Sequence, residues 1–153
     1  STTKPVPVSP ISPSTAVLPT PTVSVPPPAI SDDKREHMVG VALLKRGEIQ
    51  KARAKFKDVL RRFPTSRFSD DAQYWIGETY YREKRYDKAI LEYDKVVINY
   101  SKGNKVPAAL LKQGFAFLAL GDKASAKQLM NQLIKEYPKS EEAKTARSRL
   151  SSL

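Results

Sequence analysis

The feature that most limits what this chain can become is a repeat of 37 residues. Gly40, Gly77 and Gly114 are spaced at that interval, and so are Ala52, Ala89 and Ala126. The same register aligns Phe56 with Tyr93 and Met130, Val59 with Val96 and Leu133, and Leu60 with Val97 and Ile134. It also aligns Phe63 with Tyr100 and Tyr137, and Pro64 with Ser101 and Pro138, where Ser101 is the one break. A period of this length marks a supersecondary unit that cannot bury its own apolar face and must stack on copies of itself.

Each unit reads as two helices. In the second unit the pattern predicts a first helix from about Asp70 to Glu83 and a second from about Tyr86 to Tyr100. On the second helix Ile90, Tyr93, Val96 and Val97 recur at helical spacing and form one apolar stripe. Small residues, Gly77 on the first helix and Ala89 on the second, are expected where the two cross closely. Gly47 and Gly121 stand where the first helix of units one and three must end in a left-handed residue. Lys84 holds that place in unit two, so its turn either differs or is strained. Pro64 and Pro138 follow the second helix and stop it. Residues 140–151 are expected to close the stack as a capping helix. Ser140 is the N-cap, Glu141 and Glu142 suit the first turn, and Ala143, Ala146 and Leu150 face inward. Its outer face is expected to carry Lys144, Arg147 and Arg149.

Composition changes sharply near residue 31. Residues 1–30 hold nine of the twelve prolines and a single charge, Lys4. Proline removes backbone donors and restricts the residue before it, so this leader is expected to be an extended, polyproline-like linker without a core. Its Pro5-Val6-Pro7 and Pro26-Pro27-Pro28 segments are of the sort that aromatic grooves accept, although a spacer is the simpler expectation. The chain begins with Ser, which suggests a processed product or an excised piece. The domain division is therefore 1–31 for the linker and 32–153 for the repeat domain, with units at about 33–69, 70–106 and 107–139.

Several function classes have little to stand on. There is no cysteine, so neither a disulfide framework nor thiolate chemistry is available. No stretch approaches the roughly 18–20 apolar residues that span a bilayer. His37 is the only histidine, and nothing around it has ligand or base spacing, so no catalytic residue, metal or cofactor is expected. The six glycines are dispersed and form no phosphate loop. A net charge of +11 invites a nucleic-acid reading, but the basic residues are spread over all units, as on solvated helix faces.

The aligned columns carry a family resemblance. Ile76-Gly77, Tyr80, Ala89 and Tyr93 in unit two resemble the tetratricopeptide-repeat (TPR) signature. So do Gly114, Phe117, Ala126 and Pro138 in unit three, and Val39-Gly40, Leu43, Ala52, Phe56 and Pro64 in unit one. The resemblance covers residues 33–139 and implies an all-α, right-handed solenoid of three repeats with a capping helix. The usual period of about 34 residues is lengthened, which predicts a longer turn between units. More narrowly, the run Ala72-Gln73-Tyr74-Trp75-Ile76-Gly77-Glu78 and the ending Lys135-Glu136-Tyr137-Pro138-Lys139-Ser140 resemble the repeat domain of the periplasmic Tol–Pal accessory family, CpoB/YbgF. That likeness implies a non-enzymatic scaffold in the cell envelope of a Gram-negative bacterium. It would bind TolA, touch the peptidoglycan-synthesis proteins, and coordinate outer-membrane constriction with wall synthesis in cell division. A scaffold of outer-membrane protein assembly is the alternative, and a basic nucleic-acid binder the outside option.

In such a solenoid the first helices line a concave groove. The positions expected there are Lys34, His37, Val41, Leu44 and Lys45 in unit one and Asp71, Tyr74, Glu78, Tyr81 and Arg82 in unit two. Unit three supplies Ala108, Leu111, Phe115, Leu118 and Ala119. The partner-binding set is taken as His37, Val41, Leu44, Tyr74, Glu78, Tyr81, Arg82, Leu111, Phe115 and Leu118. Aromatic anchors of this kind suit an amphipathic helix or an extended peptide, with no small-molecule substrate. Tyr80 and Tyr93 fall on signature positions and are expected in the core.

Overall fold

The repeat columns become contacts in the computed structural model, which describes residues 2–11, 13–22, 24, 26 and 29–153. Pro27 and Pro28, part of the proline run noted above, lie outside the described residues. The described residues between 2 and 30 form no helix or strand, and their apolar side chains are exposed, Ile11 at 93%. From there the chain is helical: α1 (Asp32–Lys45), α2 (Ile49–Arg62), α3 (Ser69–Arg82), α4 (Tyr86–Asn99), α5 (Val106–Ala119), α6 (Lys123–Glu136) and α7 (Glu141–Ser151). The first six are 14 residues each and pair as α1–α2, α3–α4 and α5–α6, with starts 37 residues apart in each series. Turns within a unit are short, and the extra length of the period lies in the segments between units, 63–68 and 100–105.

The close crossing inside each unit is set by a residue without a side chain. A Cβ built at Gly40 would stand 2.7 Å from the Phe56 ring, and one at Gly77 would stand 2.6 Å from the Tyr93 ring. At Gly114 the contact is with Met130 at 3.2 Å, which a flexible thioether absorbs more easily. Phe56, Tyr93 and Met130 are fully buried, as are Ala52, Ala89 and Ala126 beside them. Burying one such large side chain is worth about 1.5–3 kcal/mol. The second helices plug onto their own unit and also pack on the first helix of the next, so one core cluster runs from Leu44 to Ala146.

Caps and turns follow the sequence closely. The Ser140 side chain accepts from the Ala143 N–H at 3.0 Å and starts α7, and Asp122 accepts from Ser125 N–H at 3.0 Å to start α6. Pro107 sits in the first turn of α5, where its missing N–H costs nothing. Each first helix ends in the same two-bond closure. Gly47, Lys84 and Gly121 donate to the carbonyls of Leu44, Tyr81 and Leu118 at 3.0, 2.9 and 3.0 Å. The next N–H in each case reaches back to Leu43, Tyr80 or Phe117. All three closing residues are left-handed, with φ of 78°, 60° and 83°. The unit-two turn is thus built like the others, and Lys84 carries the strain that glycine avoids.

Two outcomes follow for stability. Gly77→Ala drives a Cβ into the Tyr93 ring, and chemical unfolding should show a loss of about 1–3 kcal/mol. Lys84→Gly relieves a left-handed L-residue worth about 1 kcal/mol, so the thermal midpoint should rise by about 3–5 °C.

Candidate partner-binding groove

The first helices present one continuous face. Tyr74 and Tyr81 of α3 and Phe115 and Leu118 of α5 are half-buried there, and α7 lies alongside α5. Between them run two adjoining clefts. One, of about 320 Å³, is lined by Tyr81, Phe115, Leu118, Ala119 and Arg149. The other, of about 540 Å³, is lined by Phe115, Glu141, Lys144, Thr145, Ser148, Arg149 and Ser152. Phe115 and Arg149 belong to both, so the two form a single trough with an aromatic floor and a wall on which Lys144 and Arg149 outnumber Glu141.

The aromatic floor is held from below by charge. Glu78 is 8% exposed, accepts the Tyr93 hydroxyl at 2.5 Å, and pairs with Lys112 Nζ at 3.1 Å. The same Lys112 ammonium stands 3.9 Å from the centre of the Tyr81 ring, whose edge meets Tyr86 at 5.2 Å. Tyr74 packs on Trp75 and Tyr93 at 5.6 and 5.7 Å, and Lys105 stands 5.2 Å above its ring. Burial pushes the Tyr74 phenol well above the usual tyrosine range, and the Glu78 charge and hydrogen bond push it further. Burial and then Glu78 act on Tyr93 in the same direction, and burial, Tyr86 and Glu78 raise Tyr81. All three phenols therefore stay neutral: Tyr93 donates to Glu78 inside the core, and Tyr74 and Tyr81 are left on the groove face for apolar contact.

The end of the groove in unit one is more closed. The His37 ring stacks on Phe68 at 5.1 Å and tilts against Phe56 at 5.9 Å, and its Nδ1 is buried without a hydrogen-bond partner among the described residues. Burial lowers its basicity, which the Asp71 carboxylate partly offsets. Burial pushes the Asp71 carboxyl above the usual aspartate range, against the pull of Lys105. Lys34 and Lys45 are exposed at this end and Val41 is half-buried.

Of the ten residues expected to meet a partner, His37, Val41, Tyr74, Tyr81, Phe115 and Leu118 are half-buried on this face, and Arg82 is exposed. Leu44, Glu78 and Leu111 are not open to a partner: they are 3%, 8% and 8% exposed. The two leucines gain about 1.5–3 kcal/mol each by joining the core cluster, and Glu78 is committed to Tyr93 and Lys112. Tyr80 and Tyr93 are buried, as their signature positions predict.

The capping helix does more than close the stack. Lys144 and Arg149, assigned to its outer face from the sequence, line the trough beside Phe115. Thr145, Ser148 and Ser152 stand there too, and they follow Ala108, Leu111 and Phe115 by 37 residues. α7 is thus in phase with α1, α3 and α5 and supplies the wall that a fourth unit's first helix would supply. Extending the register past residue 139 would have found these residues; reading the segment as a lid concealed them. Lys112 and Lys105 left no sequence signal, because their roles depend on the rings they lie over. Among the described residues no group of three or more His, Cys, Asp or Glu is placed to hold a metal ion, and no helix is long and apolar enough to cross a membrane.

Family models for the tetratricopeptide repeat match residues 38–104 and 108–140. No curated protein sequence matches the chain. Among solved structures, the N-terminal domain of stress-induced protein-1 from C. elegans superposes with a TM-score of 0.65 at 18% identity, over 76% of this chain and 92% of that one. The Yersinia enterocolitica type III secretion translocator chaperone SycD gives 0.65 at 17% identity, over 79% and 89%. The second TPR domain of human RPAP3, solved in complex with the HSP70 peptide SGPTIEEVD, gives 0.62 at 17% identity, over 76% and 92%.

Glu78→Ala tests the support of the groove floor. It strands a buried phenol and leaves Lys112 without its carboxylate, so unfolding should show a loss of about 2–3 kcal/mol. Glu78→Gln, which keeps an acceptor for Tyr93, should lose less.

Proposed function

Because the chain belongs to the tetratricopeptide-repeat family, we propose that it is a non-enzymatic scaffold of the cell envelope that holds a segment of a TolA-like partner in the trough formed by α3, α5 and α7. The observation that carries this reading is the trough itself, with Tyr81, Phe115 and Leu118 as its floor and Lys144 and Arg149 along one side. A floor of rigid aromatic side chains supplies anchor contacts at low entropic cost, and the cationic side favours a segment with acidic residues on one face. The RPAP3 domain, similar in fold, was solved with a peptide bound, which supports a peptide-sized occupant.

The run Ala72–Glu78 and the ending at Lys135–Ser140 point to the Tol–Pal setting, in the periplasm of a Gram-negative bacterium. There the chain would coordinate outer-membrane constriction with peptidoglycan synthesis during division. Charge pairing supports a protein partner over a nucleic acid. On α2, Lys51 pairs with Glu48 at 2.8 Å and Lys55 with Glu36 at 2.7 Å, and Arg61 pairs with Asp58. Much of the helix's positive charge is thereby neutralised locally instead of forming a phosphate-binding stripe.

The test is a calorimetric titration of the chain with the periplasmic domains of TolA from the same source. Saturable binding, weakened about tenfold or more in Tyr81→Ala and in Phe115→Ala while circular dichroism stays helical, is the expected result. Unchanged affinity in both variants removes the groove from the reading. No heat of binding moves the partner to another envelope complex, with outer-membrane protein assembly first in line.

A further inference from the structure

The register that aligns the units also aligns two junctions on the other side of the solenoid, where the second helices lie. At the junction of units one and two, Arg53 of α2 lies over the Tyr80 ring of α3, 3.7 Å from its centre. Its Nε donates to Thr79 Oγ1 at 2.9 Å and its Nη2 to Glu83 Oε2 at 2.7 Å. The guanidinium thus fills this junction, and Arg53 is only 9% exposed.

One period of 37 residues further on, Ile90 stands in the place of Arg53 and Phe117 in that of Tyr80. Isoleucine is too short to cover an aromatic ring as arginine does. A cleft of about 310 Å³ is left open, walled by Ile90, Leu91, Phe117 and Leu129. Asp94, Gln113, Ser125 and Gln128 line the same cleft and supply its polar side. Gln113 is 3% exposed, and its Nε2 donates to the Ile90 carbonyl at 3.2 Å, which fixes the orientation of the amide. Its Oε1 is buried with no hydrogen-bond partner among the described residues. A buried acceptor without a donor costs stability, and such groups are rare in folded proteins. Asp94 forms no ion pair among the described residues. Leu91, 63% exposed, forms the lip.

We propose that this cleft is a second binding site, separate from the groove, and that it takes an arginine side chain of a protein partner. The guanidinium lies over Phe117, sets its charge against Asp94, and donates an N–H to Gln113 Oε1, which is buried in the cleft wall and is reached by a small side-chain shift on binding. The chain's own Arg53–Tyr80 contact is the pattern for the first of these. Arginine satisfies all three features at once, because its planar fork stacks on a ring while its edge donates several hydrogen bonds. A lysine ammonium does not stack in this way, and an apolar anchor leaves both Oε1 and Asp94 without partners.

The test is an NMR titration of the isotope-labelled full chain with the capped tripeptide acetyl-Gly-Arg-Gly-amide, run beside its lysine and citrulline counterparts. The expected result is a saturable shift confined to Ile90, Asp94, Ser125, Leu129 and the Gln113 side-chain amide, about tenfold weaker with either counterpart. Asp94→Asn and Gln113→Leu should each weaken it at least several-fold, and Ile90→Arg, which fills the cleft from within, should abolish it. The rest of the spectrum reports whether each variant is folded, and Asp94→Asn, at a half-exposed position, keeps the test open if Gln113→Leu is not. The proposal is overturned by the absence of a saturable shift, by equal shifts from the lysine peptide, by a response centred on Tyr81 and Phe115, or by an undiminished response in Ile90→Arg.

Discussion

Every unit of this solenoid depends on a glycine that lets an aromatic or sulfur-bearing side chain lie directly on the neighbouring helix. With Gly40 under Phe56 and Gly77 under Tyr93, the two helices of a unit approach closely enough to exclude everything but the ring. That approach sets the tilt at which the first helix presents its other face, and so it sets the groove. The consequence is visible at Tyr93, whose ring packs on Gly77 while its hydroxyl is received by Glu78, the next residue along. One side chain thus closes the unit and anchors the charge beneath the groove floor. Unit three, with Met130 in this column, meets the same requirement with a softer contact and lacks the polar handle.

The units are alike in backbone and differ in what fills the spaces between them. At the first junction Arg53 bridges α2 to α3 through Thr79 and Glu83 and lies over Tyr80. At the second, Ile90 and Phe117 leave a cleft lined by Gln113, whose buried Oε1 has no hydrogen-bond partner among the described residues. Stacked repeats share stability between neighbours, so a junction can be sealed or left open without breaking the array. On the groove side the asymmetry runs along the stack: His37 closes against Phe68 in unit one, while Phe115 and Arg149 frame open space near the other end. α7, in phase with the other first helices, lengthens the groove at the end where it is open.

The backbone was largely legible before any contact was known. Three copies of a unit average out the ambiguity of a single helix boundary, so the second-unit helices begin and end within a residue of expectation. The core positions Ala89, Tyr93 and Val96 follow from the same columns, whereas at Lys84 the columns left two outcomes open, a different turn or a strained one, and the chain adopts the strained left-handed one. The groove was legible only in outline. Its aromatic members Tyr74, Tyr81 and Phe115 lie where the register puts them, whereas Leu44 and Leu111 sink into the core, because a periodic position specifies a direction and not a depth.

By itself the sequence determined the number of units, their all-α character, the tight glycine crossings and the family. All of these are local or periodic, and a repeating pattern states them several times over. Only the tertiary structure decided which side chains meet across a junction. It turned Lys144 and Arg149 toward the groove, placed Lys112 between Glu78 and Tyr81, and left Gln113 Oε1 without a donor among the described residues. These outcomes depend on the shape and reach of single residues brought together from different helices. Periodicity aligns such residues in sequence but does not say which of them fills the space between.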